Sequence, residues 1–456
     1  MSTTPVLILT AAFGDGHNAA ARGLASAIEL RGGAAVVADP FAESRPKLND
    51  FFRRLYLTLI NRYPRAWNLF YLACHHFPLI ENTLFTNRPA ALRLRELIEI
   101  HRPKVIALTF PVYAHLIARL PKDLRATFRL ITIVTDSISV HRLWSTAPAD
   151  LWIVPNPPTA QSLHALGIPM DKIQPVGFPV DPRFAAPTPH PGDEPPGETP
   201  RVLYLLSSGL QGGPQLAKSL AAQENWAVTI GTGRDPNIAR RVEQALGPLR
   251  KKVELLGWTT EMPSILAKHH FVIGKAGGAL TQETIASRTP FLVTQVVPGQ
   301  EEGNFALLKE IGVAQLTPDG ATAVQVIRQA IAENAKGWKE WKAKLAAASK
   351  PDASLRLADL CLSQNAELKN PIHALHITRA NSSAGSAFSE VSSRIPETST
   401  PADSSFFLEL ATISSTIAAV ISRCGTNPYD FFPCRNAAQT HLSVLNRWTA
   451  PLGKAK

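Results

Sequence analysis

Three short polar clusters in this sequence have residue types and spacing that could do chemistry on a phosphate-bearing sugar. The first, Gly14-Asp15-Gly16-His17, separates an apolar run from a helix-forming one. Its two glycines allow a sharp turn and a close ligand approach, and the helix start beyond favours an anion. His17, with an ordinary pKa of about 6.5, can take a proton from a hydroxyl near neutral pH. A plain strand-to-helix turn has the same letters, and this is no full GxGxxG fingerprint. In the second cluster, 274–287, Lys275, Gly277 and Gly278 follow an apolar run and precede a helix. Backbone amides so placed suit a pyrophosphate. Glu283, one turn further on, can accept from two ribose hydroxyls; on its own, dipole compensation is the commoner reason for such a residue. The third, PGQEEGN at 298–304, offers Gln300, Glu301 and Asn304 to the hydroxyls of a hexose, or else is a polar loop with a helix cap. In succession at consecutive strand–helix units, the last two clusters predict one crevice for phosphate, ribose and sugar.

These clusters need strands behind them, and the sequence supplies strands. Apolar β-rich runs at 6–11, 34–39, 104–109, 129–135 and 151–155 alternate with helical stretches such as 17–32 and 90–102. The alternation restarts at 201–207, 226–233, 252–258, 270–278 and 290–295. Such alternation is the pattern of a parallel sheet covered by helices. It predicts an α/β fold of two doubly wound, Rossmann-like domains, 1–184 and 201–335, facing a central cleft. Residues 185–200, dense in proline and poor in buriable side chains, read as the linker between them. Residues 336–364 read as closing helices. The Ser/Thr-rich stretch 365–456 reads as a mostly disordered tail, with an apolar segment near 406–421.

Composition narrows the function classes. The formal net charge is +11, which suits phosphorylated ligands, an anionic membrane surface or nucleic acid. No aromatic RNA platform or DNA-reading helix motif is visible, so nucleic acid is not expected as a partner. The four cysteines are scattered without CxxC pairs or Cys/His clusters, implying a reduced compartment and no metal site. The N-terminus lacks a basic leader, and no stretch supplies the roughly 20 apolar residues of a spanning helix. Any membrane association is therefore expected to be peripheral.

At this point the sequence resembles a known family: the GT-B-fold glycosyltransferases that include monogalactosyldiacylglycerol synthase and processive diacylglycerol glucosyltransferase. Seven blocks between residues 5 and 335 carry the resemblance: 14–24, 135–144, 175–184, 207–213, 257–262, 275–283 and 298–304. The resemblance implies inverting transfer from a UDP-hexose, the donor substrate, without a cofactor or an essential metal. By position, it makes His17 the base, with Gly14 and Gly16 beside it. It places the phosphates on the amides around Ser208, Gly209, Gln211, Gly212 and Gly213, and around Lys275, Gly277 and Gly278. Glu283 would hold the ribose, Gln300 and Glu301 the sugar with Asn304 beside them, and Trp258 and Thr259 the uracil edge. Asp136 and His141 fall at the cleft wall, to orient His17 or the acceptor, or only to brace the loop. The sequence departs from the family pattern at Asp15, where a third glycine is usual, and at Ala276, where proline is usual. The 207–213 loop also holds fewer glycines than the family's.

Residues 45–95 mix aromatic and leucine side chains with nine Arg or Lys, against Asp50 and Glu81. Such a segment suits a bilayer interface bearing anionic lipid, each basic residue adding about 1 kcal/mol. It also suits an ordinary helical excursion with solvated arginines. With the resemblance, the expectation is hexose transfer to diacylglycerol at the cytoplasmic face of the cell membrane. The alternatives are another lipid acceptor, such as a polyprenyl-linked precursor, and a UDP-sugar epimerase. A non-enzymatic nucleotide-sugar sensor would have less need of His17, Glu283 and Gln300 together.

Overall fold

In the computed structural model, residues 4–76, 88–186, 190–206, 212–299 and 301–367 are described. The first sheet contains β1 (Val6–Leu9), β2 (Ala35–Ala38), β3 (Val105–Leu108), β4 (Arg129–Ile133), β5 (Leu151–Ile153) and β6 (Ile173–Gln174). Its order is β2-β1-β3-β4-β5-β6, with every pairing parallel. The second contains β7 (Arg201–Leu205), β8 (Ala227–Gly233), β9 (Val253–Gly257), β10 (Phe271–Lys275), β11 (Phe291–Gln295) and β12 (Gln315–Leu316). It is also parallel throughout, in the order β12-β11-β10-β7-β8-β9.

The central strands are unbroken apolar runs because helices cover both faces. All four residues of β1 and of β3 are buried. Each expected strand is present, though shorter at its ends. The two-residue edge strands β6 and β12 were not anticipated, since so short a run carries no period to read. Each order reverses once, next to β1 in the first sheet and next to β7 in the second. Open parallel sheets bind ligands at such switch points, beyond the strands' carboxyl ends. The polar clusters lie at those ends.

Helix Asp15–Leu30 lies against the segment that leaves the first domain, and its small residues let it do so. A Cβ on Gly23 would sit 2.1 Å from the Pro179 carbonyl oxygen, so only glycine fits there. The helical stretch Gly320–Ala348 breaks at Ala332–Ala335, and helix Ala353–Glu367 then crosses back to the first sheet. Leu357, Ala358 and Cys361 are fully buried there, in one core with Val6, Ile8, Leu24 and Ile28. The proline-rich segment is also less free than its composition suggests. Gly192 is buried, and Asp193 is paired with Lys342 at 2.5 Å and Arg288 at 3.4 Å. That pins the described part of 185–200 onto the second domain.

Candidate active site

His17 is the third residue of helix Asp15–Leu30, which starts just beyond β1, and is half-buried. Its Nδ1 lies 2.6 Å from the Thr109 carbonyl oxygen and 2.9 Å from the Thr135 hydroxyl. A carbonyl only accepts, so Nδ1 carries the proton and Nε2 keeps its lone pair. Burial pushes the pKa down to about 4, partly opposed by the Thr109 bond. The ring is therefore neutral at physiological pH and aims an acceptor nitrogen away from its anchor. Phe110 packs edge-on against it, with centroids 5.2 Å apart.

Among the described residues, the partners of this ring are Thr109 and Thr135 rather than Asp136 or His141. Asp136 accepts from the Trp144 indole N–H at 2.8 Å and the His141 amide at 3.3 Å, while burial raises its pKa to about 6. His141 accepts the Leu143 amide on Nδ1, and its ring meets Tyr71 and His75. These contacts brace the 136–144 loop. The orienting groups are Thr109 and Thr135, both unmarked by the sequence reading. Their only signal is a threonine closing each of the apolar runs 104–109 and 129–135.

Opposite lies the start of helix Gly278–Ala286, beyond β10. Gly277 makes a tight turn, its amide donating to the Lys275 carbonyl at 2.7 Å. The Ala279 amide is 3.8 Å from where a Cβ on Gly16 would be, so two helix N-termini meet across the domains. A third, of helix Glu302–Ile311, meets the 135–139 loop, where a Cβ on Gly303 would lie 1.9 Å from the Ser137 carbonyl oxygen. Gln282 donates to the Ser137 hydroxyl at 3.0 Å. Gly212 caps helix Gly213–Ala221, directly after the 207–211 stretch. Converging N-termini carry partial positive charge suited to a diphosphate.

Glu283 is the sixth residue of its helix, past the first turn where dipole compensation acts. It faces the first domain: burial raises its pKa to about 7, Arg22 lowers it, and Asp181 and Asp15 raise it. Trp258 is 47% exposed, with the Arg234 guanidinium 4.0 Å above its ring. The Thr259 hydroxyl accepts the Glu261 amide at 2.9 Å and so shapes that turn.

The third cluster differs from the expectation. Glu301 is 5% exposed; one oxygen pairs with Lys275 Nζ at 2.6 Å and the other accepts the Val297 amide at 2.9 Å. Asn304 is equally buried and donates to the Ala276 carbonyl at 2.9 Å. Both tie the 297–304 loop to β10 rather than presenting polar groups to a sugar. Lys275 and the Val297 amide supply the partners that a buried carboxylate needs. Ser208, Gly209, Gln211 and Gln300 lie outside the described residues. Among those described, no group of three or more His, Cys, Asp or Glu is placed to hold a metal ion.

Residues 17–180, which include His17, Thr109, Thr135 and Asp136, match the family model described as monogalactosyldiacylglycerol (MGDG) synthase. Over those residues the chain is similar to that family. Its relatives include a processive diacylglycerol β-glucosyltransferase of Bacillus mycoides, 22% identical over 79% of this chain and 94% of the relative. One of the same name from Staphylococcus carnosus is 23% identical over 71% and 84%. Among solved structures, the glycotransferase of kitacinnamycin is similar with TM-score 0.50 and 14% identity, over 79% of this chain and 99% of that one. A UDP-N-acetylglucosamine 2-epimerase from Listeria monocytogenes matches equally, TM-score 0.50 and 14% identity, over 80% and 97%. The fold is GT-B, and transferase and epimerase share it. Only the site can separate them.

Proposed function

We propose that the chain transfers a hexose from a UDP-sugar to diacylglycerol at the cytoplasmic surface of a membrane, with inversion. The observation that carries this reading is a neutral His17, fixed as the Nδ1–H tautomer, opposite the helix N-terminus at Gly278. The acceptor hydroxyl donates its proton to Nε2 as its oxygen attacks the sugar's C1 from the side away from the diphosphate. The C1–O bond to UDP breaks with its electron pair, and the amides of Gly278 and Ala279 meet the new charge. Glu283 accepts the ribose hydroxyls, and Trp258 edges the base. No cofactor is required in this scheme.

Diacylglycerol as acceptor is supported by the named activity of the Bacillus and Staphylococcus relatives. Helices Pro46–Arg62 and Pro64–His76 support action at a surface, since they expose Phe51, Leu55, Leu69 and Leu72 beside Arg54, Arg62 and Arg65. Among the described residues, no helix is long and apolar enough to cross a membrane. Purified protein, UDP-sugars and liposomes with and without diacylglycerol test the reading. A glycolipid formed only with diacylglycerol supports it. Transfer to a polyprenyl phosphate alone would reassign the acceptor, and a lipid-independent epimer of the donor would reassign the reaction.

A further inference from the structure

Helix Pro64–His76 belongs to the first domain, yet its inner side touches the second domain's 298–304 cluster. Gly299 has φ +78, and a Cβ on it would lie 2.8 Å from the Tyr71 ring and 2.9 Å from the Asn68 side-chain oxygen. Asn68 and Tyr71 are three residues apart, hence neighbours on one helix side. Tyr71 also packs on His141 at 4.9 Å and on Trp67 at 6.4 Å. Trp67 meets Tyr56 at 5.0 Å, and Tyr56 meets Phe13, just before Gly14. Burial and the carboxylates of Asp136 and Glu302, one from each domain, keep the Tyr71 phenol protonated. The outer side of the same helix exposes Leu69 and Leu72.

We infer that Asn68 and Tyr71 are positioning residues for the donor loop, acting through Gly299. The helix thereby joins the surface facing lipid to the loop that Glu301 and Asn304 tie to Lys275 and Ala276, at the phosphate-facing end of β10, and docking on a bilayer tightens donor binding. The second half of this statement rests on the membrane reading above; the first does not. A glycine of positive φ packed this closely under the Tyr71 ring and the Asn68 side chain leaves no slack for the helix to shift without moving the loop.

The test is a double-mutant cycle on UDP affinity, by calorimetry without lipid, using Tyr71→Ala, Gly299→Ala and the pair. Each single change should weaken UDP binding about three- to tenfold, and the pair no more than the worse single, because removing the Tyr71 ring also relieves the clash that a Cβ on Gly299 makes with it. Tyr71→Phe keeps the ring and should bind as wild type does. Additive losses, or none, overturn the positioning role. Vesicles of phosphatidylglycerol and diacylglycerol should then tighten UDP binding to the wild type but not to Tyr71→Ala or Asn68→Ala, with cosedimentation equal for all three. An equal vesicle effect in the variants overturns the coupling. Failure of the wild type to cosediment would defeat the membrane reading, and the lipid-free cycle would still judge the contact.

Discussion

At the scale of single residues, His17 and Glu283 do different work and should fail differently. His17→Ala removes the proton acceptor and should lower transfer about 10²–10⁴-fold while UDP affinity, measured by calorimetry, stays close to wild type. Lost UDP binding would mean that the assigned role is wrong. Their pKa values separate them further. His17, near 4, stays neutral down to mildly acidic pH, whereas Glu283, near 7, protonates first as pH falls. Donor KM should therefore rise below about pH 7 while His17 remains competent, and Glu283→Gln should remove that dependence. An acid limb that survives in Glu283→Gln would reject the ribose assignment. The same shift has a consequence for folding. Because the folded pKa of Glu283 lies above its ordinary 4.5, its contribution to stability is fully present below that value and is lost as pH rises through about 7. The residue types at the site were legible in the sequence; their partners were not. Thr109 and Thr135 reach His17 across 92 and 118 residues of chain, a proximity that only the sheet creates.

At the scale of elements, strand positions were readable because buried parallel strands are unbroken apolar runs. Which way a loop side chain turns was not. Glu301 looks like a hydroxyl-binding group by spacing, yet its neighbour in space, Lys275, draws it inward. Glu301→Gln should therefore cost about 1–3 kcal/mol of stability in denaturant unfolding, since it strips a buried ion pair and weakens a bond to the Val297 amide. A variant as stable as wild type would show the pair to be dispensable. The domain contact is equally specific. Gly303 is the second residue of its helix and has no positive φ, so its own helix does not require glycine there. Its Cβ would meet the Ser137 carbonyl of the other domain. Gly303→Ala should thus lower the melting temperature, and reduce kcat/KM about tenfold or more by forcing the two domains' backbones apart. Unchanged kinetics would mean that transfer does not require this contact.

At the scale of the whole molecule, the chain's last described helix completes the core of its first domain. Leu357, Ala358 and Cys361 fill a layer begun by Val6 and Ile8, an arrangement that no local pattern in 336–364 could reveal. Cutting the chain after Ser349 should therefore expose the first domain's apolar layer, and thermal unfolding should show that domain melting first. Charge works over longer distances. A net +11, with Arg54, Arg62 and Arg65 beside exposed apolar side chains, is a charge distribution that suits the anionic surface proposed above. Counterions screen such attraction over about 8–10 Å at ordinary salt, whereas they leave buried apolar contacts intact. Cosedimentation with phosphatidylglycerol vesicles should accordingly fall as salt is raised, and each of Arg54→Glu and Arg62→Glu should lower it by at least about fivefold, the equivalent of about 1 kcal/mol per lost cation. Turnover on detergent-dispersed diacylglycerol should be unchanged in both, since neither residue is among those bonded to His17 or packed on Gly299. If both variants bind vesicles as the wild type does, the two helices are an ordinary excursion on the first domain, and the acceptor reaches His17 by another face.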